Sequence, residues 1–83
     1  MQVYEKCDIE TRTFPEIWAS LSQGEREDLT LRLYAAKCCR TRQSIWEWGS
    51  GRVKPGAPLI RDAVAKTVSK FTGRKSTPQT LFP

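Results

Sequence analysis

Residues 35–55 read Ala35-Ala36-Lys37-Cys38-Cys39-Arg40-Thr41-Arg42-Gln43-Ser44-Ile45-Trp46-Glu47-Trp48-Gly49-Ser50-Gly51-Arg52-Val53-Lys54-Pro55. The stretch holds a short helix between two breaks. Thr41 has the side chain of an N-cap, whose oxygen accepts a backbone N–H of the first turn. From Arg42 to Trp48, Ile45 and Trp48 stand at i and i+3, on one face of a helix. Gly49-Ser50-Gly51 ends it, because glycine adopts the left-handed conformation that closes a helix C-terminus. Ile45 and Trp48 anchor the helix on a core and leave Arg42, Gln43, Trp46 and Glu47 on other faces. So short a helix is not stable alone, so the flanking sequence must supply the rest of the core.

Upstream, Thr13-Phe14-Pro15-Glu16 carries a helix start: a capping threonine, a proline in the first turn and a glutamate three residues after the cap. Phe14, Ile17, Trp18 and Leu21 then share one face. Ser22-Gln23-Gly24-Glu25 repeats the cap and opens a second helix with a wide apolar set: Leu29, Leu31, Leu33, Tyr34, Ala35, Ala36 and Cys38. Glu25, Glu27 and Asp28 near its start and Lys37 near its end agree with the helix dipole. Downstream, Pro55-Gly56-Ala57-Pro58 is a rigid turn. A fourth helix follows, with Ile60, Ala63, Val64, Thr67, Val68 and Phe71 in register, and Thr72-Gly73 ends it. Residues 74–83 show two prolines and no period, as expected of a flexible C-terminal tail. Residues 1–12 show only a weak alternation (Val3, Cys7, Ile9) and read as a loosely ordered arm. The expectation is an all-α, compact bundle of four helices, or five if the second breaks near Leu29-Thr30. Its core would be Phe14, Ile17, Trp18, Leu21, Leu29, Leu33, Tyr34, Ile45, Trp48, Ile60, Val64, Val68 and Phe71.

The 83 residues suffice for one small domain. The formal net charge is +5 and uneven. Residues 1–39 have net charge −2, whereas residues 40–75 hold nine basic side chains (Arg40, Arg42, Arg52, Lys54, Arg61, Lys66, Lys70, Arg74, Lys75) and two acidic ones, Glu47 and Asp62. A one-sided basic surface suits a polyanion, whose counterions it displaces. There is no histidine, which removes imidazole acid/base catalysis, His-activated nucleophiles and His-containing zinc sites. Of the cysteines, Cys38 and Cys39 are adjacent, without the spacing of a zinc knuckle, and with Cys7 the count is odd. They read as reduced thiols in a cytoplasmic protein. No apolar run approaches the about 18 residues of a membrane span, and Met1 to Arg12 lacks the apolar core of a signal peptide. No phosphate-binding loop is present, because Gly49-Ser50-Gly51 lacks a following Lys-Ser/Thr. The chain is expected to be no enzyme and to use no cofactor, metal, membrane or small-molecule effector.

The segment Ala35 to Pro55 resembles the helix-turn-helix of the Cro and lambda-repressor superfamily. The resemblance is carried by the small Ala35 in the first helix, the link Lys37 to Arg40, the run Thr41-Arg42-Gln43-Ser44-Ile45, the apolar Trp48, and Gly51-Arg52-Val53-Lys54-Pro55. It covers these residues in detail and the flanking helices in outline. Two features depart from it. The family usually has glycine at the position of Cys39 and an apolar residue at Arg40, so Cys39 is expected either to become the apolar anchor or to hold a positive φ. The family's scaffold helix is also short and begins near Thr30, whereas the Ser22–Glu25 cap implies an earlier start.

The resemblance implies a small prokaryotic or phage-type transcriptional regulator, a helix-turn-helix DNA-binding domain over residues 13–73, and a homodimer on pseudo-palindromic double-stranded DNA. Arg42, Gln43, Ser44 and Glu47 would then contact bases in the major groove, since their side chains offer the forked donors and acceptors that base edges demand. Thr41, Ser50, Arg52, Lys54 and the start of the fourth helix would contact phosphates. The alternative is a helical protein–protein interaction module that keeps the fold without reading DNA. Trp46 points to packing by the N-terminal arm, a dimer contact or a groove contact, with packing or a partner favoured over DNA, because so large an apolar surface is seldom left wet. Cys38 and Cys39 read as packing residues.

Overall fold

The computed structural model describes residues 9–83. Among these are α1 (Phe14–Ser20), α2 (Gln23–Ala35), α3 (Arg42–Ser50), α4 (Pro58–Thr72) and α5 (Pro78–Leu81), with a single isolated parallel bridge between Ile9 and Lys75. The fold is an all-α bundle. Cys7 and the other residues before Ile9 lie outside the described residues.

Both expected capping boxes are present. The Glu16 N–H donates to Thr13 Oγ1 at 3.3 Å and the Thr13 N–H to Glu16 Oε1 at 2.8 Å. At α2, the Glu25 N–H donates to Ser22 Oγ at 3.2 Å and the Ser22 N–H to Glu25 Oε1 at 2.8 Å. Each pair satisfies two backbone donors that a helix start leaves orphaned. No break occurs near Leu29-Thr30. Thr30 is buried, and its hydroxyl donates to the Arg26 carbonyl at 2.6 Å, so it is accommodated inside a continuous helix.

The core gathers Phe14, Ile17 and Trp18 from α1, Leu29 and Leu33 from α2, Ile45 and Trp48 from α3, and Val64, Ala65 and Val68 from α4. Leu21, Ile60 and Phe71 pack at its edge, partly buried. Tyr34 is not a core residue: it is 48% exposed, as is Leu31 at 52%. The apolar stripe of α2 is narrower than its composition suggests. Leu29 and Leu33, four apart, define its buried face, with Tyr34 on the flank and Leu31 nearly opposite.

The C-terminal segment corrects the expectation of a flexible tail. Residues 74–83 fold back onto the bundle: Leu81 is fully buried and Phe82 nearly so. Phe82 stands 5.6 Å from Phe14 and 6.2 Å from Trp48, centroid to centroid, edge-on to the latter. The Ser76 N–H donates to Ser69 Oγ on α4 at 2.9 Å, and Thr77 caps α5 through the Thr80 N–H. The segment escapes a periodicity search because α5 is one turn long. Its adjacent Leu-Phe pair supplies burial without a repeat.

Ile9 to Arg12 are likewise not a loose arm. The Glu10 N–H donates to the Lys75 carbonyl at 2.8 Å. The buried Glu10 carboxylate accepts from Arg12 Nε at 2.8 Å and Nη2 at 2.9 Å, with Arg74 Nη1 at 3.9 Å. These guanidinium contacts, led by the Arg12 hydrogen bond, outweigh burial and hold the Glu10 carboxyl down at about 2.

Two outcomes follow for stability. Phe82→Ala should cost about 3 kcal/mol or more, as for an aromatic removed from a core, where a loose tail would give under about 0.5 kcal/mol; urea unfolding measures the difference. A carboxyl depressed in the folded state stabilises fully above its unfolded pKa and loses that contribution as pH falls through the folded one. Stability should therefore drop between about pH 4.5 and pH 2, by at most about 3.4 kcal/mol through linkage. Glu10→Gln should flatten that limb in thermal melts taken across the window.

Candidate nucleic-acid interface

The link between α2 and α3 runs from Ala36 to Thr41. Its conformation is set by a Schellman closure of α2: the Cys38 N–H donates to the Leu33 carbonyl at 3.1 Å and the Lys37 N–H to the Tyr34 carbonyl at 3.0 Å. Lys37 is the residue held left-handed, at φ 61°. Cys38, the next residue, is buried against the core with Leu33, the apolar contact that accompanies this motif. The positive φ thus falls at Lys37 rather than Cys39. The buried thiol is that of Cys38, while Cys39 is half-buried at the core's edge. Burial pushes both thiols above their usual pKa, which suits packing rather than nucleophilic chemistry.

Helix α3 begins at Arg42 and runs two residues beyond Trp48, through Gly49 and Ser50, to a left-handed Gly51 at φ 83°. Thr41 is the N-cap residue, but its hydroxyl makes no hydrogen bond to the helix backbone; it lies 3.4 Å from Ser44 Oγ. The first-turn N–H groups of α3 are therefore left without that side-chain acceptor. Ile45, Trp48 and Gly49 are buried. Gly49 is required by packing, not by turning: a Cβ there would overlap the indole of Trp18. Trp18 fills the space above Gly49 and meets Trp46 edge-on, with centroids 5.0 Å apart and planes at 83°.

With three residues facing inward, the remaining positions of α3 are fixed by about 100° per residue. Gln43, Glu47 and Ser50 fall opposite the buried face, Arg42 and Trp46 lie on the flank toward α2, and Ser44 lies on the other flank. Arg42, Gln43 and Ser50 are exposed, and Ser44 and Glu47 are half-exposed. Arg42 and Trp46 share a groove with Glu27, Thr30 and Leu31 of α2. Nine residues at about 1.5 Å each make α3 roughly as long as the major groove is wide, about 12 Å.

Cations bracket the helix. Arg52 and Lys54 are exposed in the loop after it. The Arg52 N–H donates to Ser50 Oγ at 3.4 Å, and the Lys54 ammonium donates to the Pro83 carbonyl. Arg61 staples the loop to α4 through the Pro55 carbonyl at 2.6 Å. Before α3, Lys37 and Arg40 line a shallow cleft with Pro55 and Ala57, the residue at the uncapped start of α4. Sequence reading placed neither lysine nor arginine in this cleft, because a link's path is not periodic. The packing expected of Trp46 is found, but against Trp18 of α1.

Two substitutions of opposite sign test this geometry by thermal unfolding. Gly49→Ala should destabilise, since overpacking costs about 1–3 kcal/mol against at most about 1 kcal/mol of helix propensity gained. Lys37→Gly should stabilise by about 1 kcal/mol, relieving the left-handed strain, whereas Cys39→Gly should bring no gain.

Comparison of the chain with protein-family models, curated proteins and solved structures finds no match. The functional reading therefore rests on the geometry and charge of α3 and its surroundings.

Proposed function

We propose that the chain binds double-stranded DNA sequence-specifically, as a cytoplasmic transcriptional regulator without catalytic activity, with α3 lying in the major groove. The observation that carries this reading is the split of α3. Ile45, Trp48 and Gly49 lock one side into the core, while Gln43 and Ser50 stand exposed on the opposite side and Arg42 on the flank toward α2. A rigid helix with bidentate side chains in its first turn is what base readout requires. Arg42 suits guanine, Gln43 adenine, and Glu47 accepts from cytosine, with Ser44 beside them. Thr41, Ser50, Arg52 and Lys54 stand near the two ends of α3, where a duplex backbone would pass. For Lys54 this means exchanging the Pro83 carbonyl for a phosphate. DNA is the partner, with no cofactor or metal, and a homodimer would match a two-fold site.

A second reading, a protein-interaction module, draws on the exposure of Leu31 and Tyr34 on α2. No described helix is long and apolar enough to cross a membrane.

Salt-dependent binding and site selection distinguish the readings. A DNA binder shows a steep fall of affinity with salt, and Arg52→Ala and Lys54→Ala should each lower the slope by about one, on all sequences alike. Arg42→Ala and Gln43→Ala should instead change which bases are preferred, each by about 1–3 kcal/mol of discrimination, with circular dichroism unchanged. Folded variants that select the wild-type site with the same penalties at every position would sink the base-reading role of α3.

A further inference from the structure

Trp46 is the largest exposed side chain of α3, and the DNA reading above gives it no task. Its neighbours one turn away are Arg42 at i−4, Gln43 at i−3 and Ser50 at i+4, positions that share a surface on a helix. Two of these are proposed base contacts and the third a proposed phosphate contact. Trp46 thus stands amid that contact surface, on its α2 side.

It is also held in place. Its ring meets Trp18 edge-on at 5.0 Å, and Trp18 is itself 4% exposed, stacked on Phe14 and seated over Gly49. Leu31 and Thr30 flank Trp46 in the α2–α3 groove. Trp46 nevertheless keeps 38% of its surface open. An indole fixed by its neighbours loses little conformational freedom on contact. What it offers is an apolar surface among polar and charged side chains.

The base-edge feature that an apolar surface recognises in the major groove is the C5-methyl group of thymine; every other feature there is a hydrogen-bond donor or acceptor. We infer that Trp46, with Leu31 beside it, reads a thymine methyl next to the base contacted by Arg42 or Gln43. The inference rests on the proposed DNA reading and adds a specificity-determining residue to it. Trp18 and Gly49 act as positioning residues, because they fix where the indole stands.

The test removes the methyl and leaves the protein intact. Site selection first identifies the preferred duplex, and each thymine in it is then replaced singly by deoxyuridine. Wild-type protein should lose about four-fold in affinity at one thymine, the worth of one buried methyl, and little at the others. Trp46→Gln should bind the thymine and deoxyuridine duplexes equally while keeping the preferences set by Arg42 and Gln43. The wild-type measurement stands whether or not the variant folds. A wild-type protein indifferent to every replacement, or a preferred site with no thymine, overturns the inference and leaves the DNA reading intact. Equal sensitivity in wild type and folded Trp46→Gln overturns it too, by assigning the methyl to another residue. A dimer lost in Trp46→Gln, seen by sedimentation, assigns the surface to a protein contact and overturns it. Absence of any sequence-selective binding overturns the DNA reading itself.

Discussion

The bundle depends on one close approach, that of Trp18 to the bare backbone of Gly49. With no Cβ in the way, α1 and α3 come together until an indole covers a helix backbone. That contact fixes the rotation of α3 about its axis. Once Gly49 faces Trp18, Ile45 and Trp48 must point into the core, and Gln43, Glu47 and Ser50 must point away. It also brings Phe14 to Trp48, 6.4 Å apart and edge-on, at the centre of the aromatic cluster that Phe82 closes from the C-terminal side. Edge-to-face geometry suits the ring quadrupoles, so the cluster is directional as well as apolar. Small domains are only marginally stable, by roughly 5–15 kcal/mol, so a cluster of this size weighs heavily in ordering the helices.

The two ends of the described chain complete that order. Ile9 and Glu10 lie against Lys75, and the segment beyond it delivers Leu81 and Phe82 to the core. The Glu10 carboxylate ties Arg12 and Arg74 to the same corner. Because Pro83 also accepts from Lys54, the C-terminal segment touches the loop that follows α3 as well as the core beneath it. Packing and the proposed phosphate contact are thus joined through the same few residues.

Legibility in the sequence followed the range of the interaction. The capping boxes Thr13–Glu16 and Ser22–Glu25 are reciprocal bonds within four residues, so their signals were readable and correct. Ile45, Trp48 and Val64 are buried as their spacing requires, and Arg42 and Gln43 are exposed. Of the two roles expected for Cys39, apolar anchor or left-handed residue, it takes neither: with the motif's usual glycine absent, Lys37 holds the positive φ and Cys38 is buried against the core with Leu33. Tyr34 belongs to the wide apolar stripe that the sequence of α2 suggests, but its place on the helix flank exposes it. Leu81 and Phe82 escape a local search because they pack across the length of the chain, and Glu10, though bonded to the nearby Arg12, is buried only where it meets Arg74 and Lys75. For the candidate site, the sequence showed which residues of α3 face outward. It could not show that Trp46 is pinned by Trp18, since that contact arises only when α1 docks.

Among the described residues, none of the ion-paired cations is a proposed DNA contact: Arg12 and Arg74 meet Glu10, Arg32 meets Asp28, and Lys66 meets Asp62. Arg26 lies over the Trp18 ring, and Arg61 is bonded to a backbone carbonyl. Lys37, Arg40 and Arg42 before or at the start of α3 and Arg52 after its end make no ion pair with a described carboxylate, as is also true of Lys70 and Lys75 farther along the chain. An exposed pair there would add only about 0–1 kcal/mol, so folding gains little from neutralising them. A polyanion gains more, because each cation left without a carboxylate can displace a condensed counterion instead. Glu27 marks the limit of this region, sitting in the same groove as Arg42 and Trp46. A carboxylate there repels phosphate, so on the proposed reading that side is left to contact with uncharged base edges. The apolar Trp46 and Leu31 beside it present the surface such a contact needs.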